Sequence, residues 1–590
     1  MFESKYRKLF IVAFCIASLI WSSIALPTNL TKAATAPKSV PQSQGPPDPC
    51  EQALTPPGNA NGLHKRCDAV GIGGGTAKGD FNGDGFADLA IGVPYEDQNG
   101  VNAVGGVNII YGSSTGLTAT GDQFLDEVDF GFSYGSNDHF GWALASGDFN
   151  GDTFSDLAIG MPDWDATRDS NNGVVFVVNG SAAGLSTSTG HFLDVPGSTG
   201  RQGAALVWAD FNGDGFGDLA IGSPDATVHG EGLFCSPVAP DISAAGEVAV
   251  LYGSATGLMP RFGAQVFHQG GCGVEAVSGT IAIGDSIETG DRFGSSLAAS
   301  RHGSSADLVI GVPFEDLGLF DKQDAGLVHL IEGSSSGLGA VGNNQLLSQD
   351  TSGVGGAAET GDQFGRVLAM GDFNGDGRDD LAVGVPFEDL TNNGNADAGA
   401  VQVFFAGSGG NVVTTSGSMF ISQADLAGVG VEAGDRMGWA LAVGDFDADG
   451  RDDLAVGVPG EDVGSITDAG LVTVLYGSST GPSLTRIQNW TQDSTGIPDV
   501  AEPGDQFGYA LSAWKFRNNR QSDLAIGVPF EDIVSASTGT LQLDAGAVNM
   551  IYGNLTGLNA NGRPAEFWSQ DSPGILDTAQ PGDHFGQVLY

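Results

Sequence analysis

The sequence predicts an all-β protein, a seven-bladed β-propeller with four antiparallel strands in each blade. Three observations predict it. An Asp-Leu-Ala-Ile-Gly-x-Pro string, with close variants, recurs seven times, anchored at Asp88, Asp156, Asp218, Asp307, Asp380, Asp453 and Asp523, with spacings of 68, 62, 89, 73, 73 and 70 residues. A period of that size marks a repeat architecture. The apolar stretches are short, are bounded by Gly, Pro, Asp and Asn, and alternate with a period of two, as Leu381, Val383 and Val385 do against Ala382 and Gly384; none sustains a helical period. Each unit supplies about four such stretches, the content of one propeller blade, whose radial packing leaves only short edges. The turns of a parallel β-helix, the rival all-β repeat, are much shorter than this unit.

Within the fifth unit the order is GDQFGRVLAMGDFNGDGRDDLAVGVPFED, a polar loop, DAGAVQVFFAG and a variable segment. A first strand thus runs into an acidic loop, a second ends at Gly-x-Pro, and a third and fourth follow. The final GDHFGQVLY copies the opening strand of a unit. Two readings follow: residues 585–590 pair with the first blade as a clasp, or further units are missing. The poor opening strand of the first unit, the Gly-rich Val70 to Gly79, favours the clasp.

Composition sets limits on partners. The 590 residues hold 71 Asp+Glu against 23 Lys+Arg, a formal charge of −48, which excludes nucleic acid as the main partner. With 41% apolar residues the chain is no disordered acidic tail. Only 16% of residues are charged, so the imbalance lies in gathered Asp, the arrangement that a hard cation requires.

Lys5, Arg7 and Lys8 precede an apolar run from Leu9 to Trp21 that is too short for a membrane span. Residues 1–36 are therefore expected to be a signal peptide and its cleavage region, with small-residue sites after Ala25 and Ala36. Residues 37–66 read as a Pro/Ser-rich linker and 67–590 as the propeller with a partial C-terminal repeat. The expected mature protein is secreted or held at the cell surface, monomeric and without a membrane span. Cys15 leaves with the signal, and Cys50, Cys67, Cys235 and Cys272 are expected to form disulfides. Proximity favours Cys50 with Cys67 and Cys235 with Cys272, although three pairings stay open. Asn179, Asn489 and Asn554 sit in glycosylation sequons.

Between the first two strands of five units, oxygen-bearing side chains occupy positions one, three, five and nine of a loop. They are Asp80, Asn82, Asp84 and Asp88; Asp148, Asn150, Asp152 and Asp156; Asp210, Asn212, Asp214 and Asp218; Asp372, Asn374, Asp376 and Asp380; and Asp445, Asp447, Asp449 and Asp453. Alternate positions let the backbone coil around one ion, and the carbonyl at position seven (Phe86, Phe154, Phe216, Arg378 or Arg451) adds a ligand. An all-oxygen set of this kind suits Ca²⁺, giving about five sites. Carboxylates crowded without a cation repel one another, which makes a turn-only reading costly five times over. The fourth unit has Ser300, Arg301, His302 and Gly303 in a shortened loop, and the seventh has Lys515, Arg517 and Asn519 at ligand positions. Neither is expected to bind; a cationic side chain there replaces the metal as the counter-charge to Asp523. Thr153 in place of Gly is expected to weaken the second site.

With these motifs in view, the chain from about Cys67 to Tyr590 resembles the FG-GAP repeat family, the propeller of integrin α subunits and of many exported bacterial proteins. The Phe-Gly mark stands at Phe140, Phe293, Phe364, Phe507 and Phe585, with Met437-Gly438 and Gln202-Gly203 as departures, and Gly-x-Pro occurs in all seven units. The resemblance implies calcium ligands at the five complete loops. It also implies a non-enzymatic scaffold that presents a surface for protein or glycan partners, as in adhesion. An extracellular hydrolase acting on polysaccharide or phospholipid is the alternative, because such propellers also accompany hydrolase domains. Three G-x-S-x-G strings, at Gly112, Gly333 and Gly477, imitate a nucleophile elbow but precede no helix and read as turns. The Glu-Asp pairs after Gly-x-Pro recur around the ring, which favours blade packing over catalysis.

Overall fold

The structure is a computed structural model. It describes residues 79–590 apart from 166–171, 194, 196–199, 229–240, 259–263, 271–279, 284–285, 303–304, 319–321, 340–343, 391–395, 408–411, 518–519 and 536–537. The expected signal, linker and all four expected disulfide cysteines lie outside the described residues.

Seven four-stranded antiparallel blades form a ring, as the repeat predicts. The fifth blade is representative: Val367–Gly371 pairs with Asp380–Val385, which pairs with Ala400–Ala406, which pairs with Val413–Ile421. The third blade adds a fifth strand, Thr280–Ile283, parallel to Gln265–Gln269. The seven inner strands stand beside one another in a closed cycle. Closure uses the clasp: Val588–Leu589 pairs antiparallel with Leu89–Val93 and supplies the first blade's inner strand.

Burial explains the strand composition. Every residue of each second strand is buried, from Leu89–Val93 to Asp523–Val528, because neighbouring blades cover both faces. The alternation of Leu, Ile and Val with Ala and Gly is therefore an alternation of large and small, not of inside and outside. On the small face, the Gly of each Gly-x-Pro meets the Phe-Gly glycine of the next blade. A Cβ at Gly384 would stand 2.3 Å from the Gly438 carbonyl oxygen, and one at Gly160 would stand 2.1 Å from that of Gly203. The same contact recurs at Gly92, Gly222, Gly311, Gly457 and Gly527. Met437 and Gln202 depart from the Phe-Gly mark at the side chain and keep the glycine, so the backbone approach is what the motif secures. The amide of the residue before that glycine donates to the preceding blade at 2.9 Å, as Phe364 does to Ala325 and Met437 to Ala398.

A polar bolt crosses five blade interfaces. The Glu of Glu-Asp, buried in four blades and half-buried at Glu461, accepts from a Gln of the preceding blade: Glu96 from Gln570, Glu315 from Gln269, Glu388 from Gln349, Glu461 from Gln423, and Glu531 from Gln492. Its Asp staples the following loop, as Asp389 Oδ1 accepts from the Asp397 amide at 2.9 Å. The third blade replaces the bolt with an apolar pair, Ala226 standing where the others have Glu and buried Val195 where the preceding blade would have Gln.

The bolt at Glu531 carries a pH dependence. Burial first, then the charges of Asp499 and Asp505, raise the Glu531 carboxyl from 4.5 to about 9. A carboxyl whose folded pKa lies above its unfolded one favours folding below the unfolded value, and that contribution disappears as pH rises through the folded value. Wild type is therefore expected to lose stability between about pH 5 and 9 at this bolt. Glu531→Gln removes the titration while keeping the shape. Its melting temperature should match wild type near pH 5 and exceed it near pH 9, by about 1 °C per kcal/mol relieved in a ring of this size, as read by differential scanning calorimetry at fixed calcium.

Candidate metal centres

The acidic loops occupy one end of the ring, each leading directly into the second strand of its blade. Their second residues anchor them: Phe81, Phe149, Phe211, Phe373 and Phe446 are fully buried or nearly so. Around that anchor the loop curls on its own amides. Asp80 Oδ1 accepts from the Asp84 amide at 3.0 Å and Oδ2 from the Gly85 amide at 2.9 Å, Asn82 Oδ1 from the Asp84 amide at 2.8 Å, and Asp84 Oδ1 from the Phe86 amide at 3.0 Å. The loops beginning at Asp148, Asp210, Asp372 and Asp445 repeat this pattern. The oxygen-bearing side chains of the loop are thus each tied to its own backbone amides. Gly85 and Gly377 take φ of 96° and 83° with open space beside them. Thr153 holds φ of 79° at the same position, a strained conformation for a β-branched residue.

The aspartate at position nine is the hub. Asp88 Oδ2 accepts from the Phe81 amide at 2.8 Å and Oδ1 from the Gly112 amide at 2.9 Å, joining the loop to the turn after the third strand. Asp88, Asp156, Asp218, Asp380 and Asp453 are all at most 1% exposed. Burial and then the loop's own carboxylates raise their pKa, to about 8 at Asp156, Asp218 and Asp453 and about 7 at Asp380, with Asp88 raised well above the ordinary value. Asp380 also keeps a buried Oδ2 without a hydrogen-bond partner. A buried carboxylate with spare lone pairs, facing other carboxylates, fits a hard divalent cation. The residues present therefore fit the ion for which the spacing argues: the Asp and Asn side chains at positions one, three, five and nine would hold it, with the position-seven carbonyl.

The sixth blade brings Asp445, Asp447 and Asp453 together with ligand oxygens within 4.8 Å of one another, the one such group of three among the described residues. Sequence reasoning missed its neighbour: Arg486 pairs with Asp447 and lies 4.3 Å over the Tyr476 ring. The signal was position three, where Asp replaces the Asn of the other loops. Arg378 and Arg451 also fold back, pairing with Asp376 at 2.9 Å and Asp449 at 3.4 Å.

The degenerate loops differ as their residues require. In the fourth blade Ser296–His302 pairs with Ser305–Val312 down to His302 opposite Ser305, so a tight hairpin stands in place of the loop. In the seventh, Arg517 pairs with fully buried Asp523 at 3.1 Å, donates to the Gly553 carbonyl and covers Tyr552. With that counter-charge, Asp523 rises only to about 6. The G-x-S-x-G strings are turns, in which Ser113 and Ser478 donate through Oγ to the carbonyls of Gly116 and Gly481. Arg517→Met should cost about 3 kcal/mol by leaving Asp523 unpaired. Arg517→Met with Asp523→Asn should recover part of that loss, and urea denaturation of wild type, both single variants and the double variant measures the coupling.

Comparison with known proteins agrees on the repeat. The FG-GAP repeat model matches residues 73–108, 140–178, 202–251, 364–404 and 437–475. Phosphatidylinositol-glycan-specific phospholipase D of Rattus norvegicus is 39% identical over 158 residues, 26% of this chain and 19% of that protein. The Homo sapiens protein of the same name is 35% identical over 164 residues, 27% of this chain and 19% of that one. Integrin alpha-3 of Cricetulus griseus is 29% identical over 259 residues, covering 43% and 20%. The chain thus spans about a fifth of the length of these relatives. The expectation of a non-enzymatic chain is corrected by the first of these: several relatives carry the name of a phospholipase, so recurrence of the Glu-Asp pairs and turn-type Ser residues does not remove catalysis from the protein. The chain thus carries FG-GAP repeats, five of them matched by that model, in a seven-bladed ring whose blades all keep the Gly-x-Pro to Phe-Gly contact and part of which is similar to integrin alpha.

Proposed function

We propose that this chain is the calcium-binding propeller of an exported hydrolase that acts on phosphatidylinositol-glycan-type substrates. The identity of 35–39% to phosphatidylinositol-glycan-specific phospholipase D over about a quarter of the chain carries the reading. Such a hydrolase cleaves a phosphodiester with water. The role assigned to the ring, stiffened by calcium at the five complete loops, is to hold substrate in register for that reaction. Export rests on the charged and apolar pattern of residues 1–36. No helix among the described residues is long and apolar enough to cross a membrane. Integrin alpha-3, matched over 43% of the chain, supports a second reading, in which the same ring displays a surface to a protein or glycan ligand.

Calcium is tested by stability. An ion that binds only the folded ring stabilises it by mass action, about 2.7 kcal/mol for each site held at a hundredfold excess over its dissociation constant. Chelation should therefore lower the melting temperature, and Asp376→Ala should remove one bound ion by equilibrium dialysis while Arg517→Met removes none. Identical melting with calcium and with chelator overturns the metal assignment.

Activity is tested on a detergent-solubilised protein bearing a phosphatidylinositol-glycan anchor. The purified, calcium-loaded chain is expected to release the protein from its lipid, and chelation to stop the release. Absence of release by a calcium-loaded chain with normal melting defeats the hydrolase reading for this chain and leaves the ligand-display reading.

A further inference from the structure

At the end of the ring opposite the acidic loops, the residues around each Phe-Gly open the inner strands. Arg366 directly precedes Val367–Gly371 and Asp372 directly follows it, so about 20 Å of extended chain separates this rim from the loops. Four successive blades place an arginine here: Arg201, Arg292, Arg366 and Arg436. In a chain with 23 Lys+Arg against 71 Asp+Glu, that gathering needs a cause.

The four arginines are not equivalent. In the second and third blades the residue after Gly-x-Pro is aspartate, and it neutralises the arginine of the next blade: Asp163 pairs with Arg201 at 2.9 Å and Asp225 with Arg292 at 2.9 Å. In the fifth blade the corresponding residue is Phe387. Arg366 and Arg436 lie 5.6 and 5.7 Å over its ring and 5.1 and 5.7 Å over that of Trp439. Among the described residues neither has a carboxylate partner. Arg366 donates to Gln363 Oε1 at 2.8 Å, and Arg436 keeps a buried Nε without a hydrogen-bond partner. Burial pulls the Arg366 pKa down, and the nearby guanidiniums of Arg436 and Arg292 add to that, as like charges held together do.

Two guanidiniums pressed on aromatic faces, with donors left over, make a forked oxoanion seat in a setting of reduced dielectric. Their two positive charges match the charge of about −1.5 to −2 that a phosphate monoester carries at neutral pH. We propose that Arg366 and Arg436, seated on Phe387 and Trp439, bind the phosphate of a phosphate monoester ligand. This goes beyond the hydrolase reading and does not depend on it, since the seat stands whether or not the chain has turnover.

The test is calorimetric titration of the calcium-loaded chain with glycerol 3-phosphate at constant ionic strength, with acetate as the carboxylate control. Saturable binding of one ester per chain is expected, weakened about tenfold or more by Arg366→Met and by Arg436→Met and left within about twofold by Arg201→Met, whose charge is already matched. Normal melting of at least one of the two site variants secures the comparison, and Arg366→Lys, which keeps the charge and loses the fork, is expected to fall between. Flotation with vesicles of phosphatidylcholine, with and without phosphatidic acid, separates the sources: binding of the soluble ester alone assigns a free ligand, and binding of phosphatidic acid vesicles as well assigns a lipid headgroup. No saturable binding of either phosphate source, equal binding of acetate, or an equal loss in Arg201→Met overturns the proposal.

Discussion

The fold depends on a carboxylate buried at the start of each second strand. Seven times the chain takes an aspartate out of water, from Asp88 to Asp523, and seven times its Oδ1 accepts a backbone amide from the end of the third strand or the segment just after it. That bond fixes where the first and third strands leave the blade, so its removal would leave the turns unregistered. The same burial makes a full negative charge costly. Blades differ in how they offset it. In the seventh a guanidinium stands beside the carboxylate, in the fourth Ser300 lies near Asp307 across a hairpin with no acidic loop, and in the remaining five the carboxylate faces the Asp and Asn side chains of the loop for which we propose a cation. These hubs and loops hold 18 of the 71 acidic residues, so they account for part of the chain's acidity.

The blades were legible in the sequence because their marks are backbone demands. Gly-x-Pro and Phe-Gly state where two chains touch without room for a Cβ, and such contacts tolerate no substitute, so they survive even where Met437 and Gln202 replace the phenylalanine. The acidic loops were legible for a similar reason, since ligand spacing within nine residues is local. The bolts were not. Gln349 and Glu388 are 39 residues apart, the glutamine sits in the variable segment, and its role emerges only when blades lie side by side. The exchange of a Glu and Gln pair for Ala226 and Val195 is a two-position change across an interface that a single chain read in order does not display.

Side chains that depart from the repeat find partners that the repeat motif does not display. Arg486 sits in an otherwise ordinary fourth-strand approach, yet it finds Asp447 because that loop carries one acid more than its fellows. The charge count around each loop, rather than the loop motif alone, would have indicated a partner. The same holds at the rim, where the residue after Gly-x-Pro is Tyr95, Asp163, Asp225, Phe314, Phe387, Gly460 and Phe530 in turn. Averaged over the repeat, that position looks variable; followed blade by blade, it decides which arginines are neutralised.

This contrast bears on where function can reside in a ring of like parts. Features that recur in most blades, the hubs, bolts and glycine contacts, are accounted for by folding: each is buried, paired and explained by the neighbour that it meets. A ligand, by contrast, meets one place on the ring and requires a place unlike the others. The acidic end varies mainly by loss, as blades four and seven drop their donors. The Phe-Gly end varies by gain and by sign, with aspartates on the second and third blades, arginines on the third to sixth, and His139 and His584 flanking Tyr95 near closure. Asymmetry of charge and of ring faces is what a specific partner can read, and on this ring that asymmetry is greater at the Phe-Gly end than among the acidic loops.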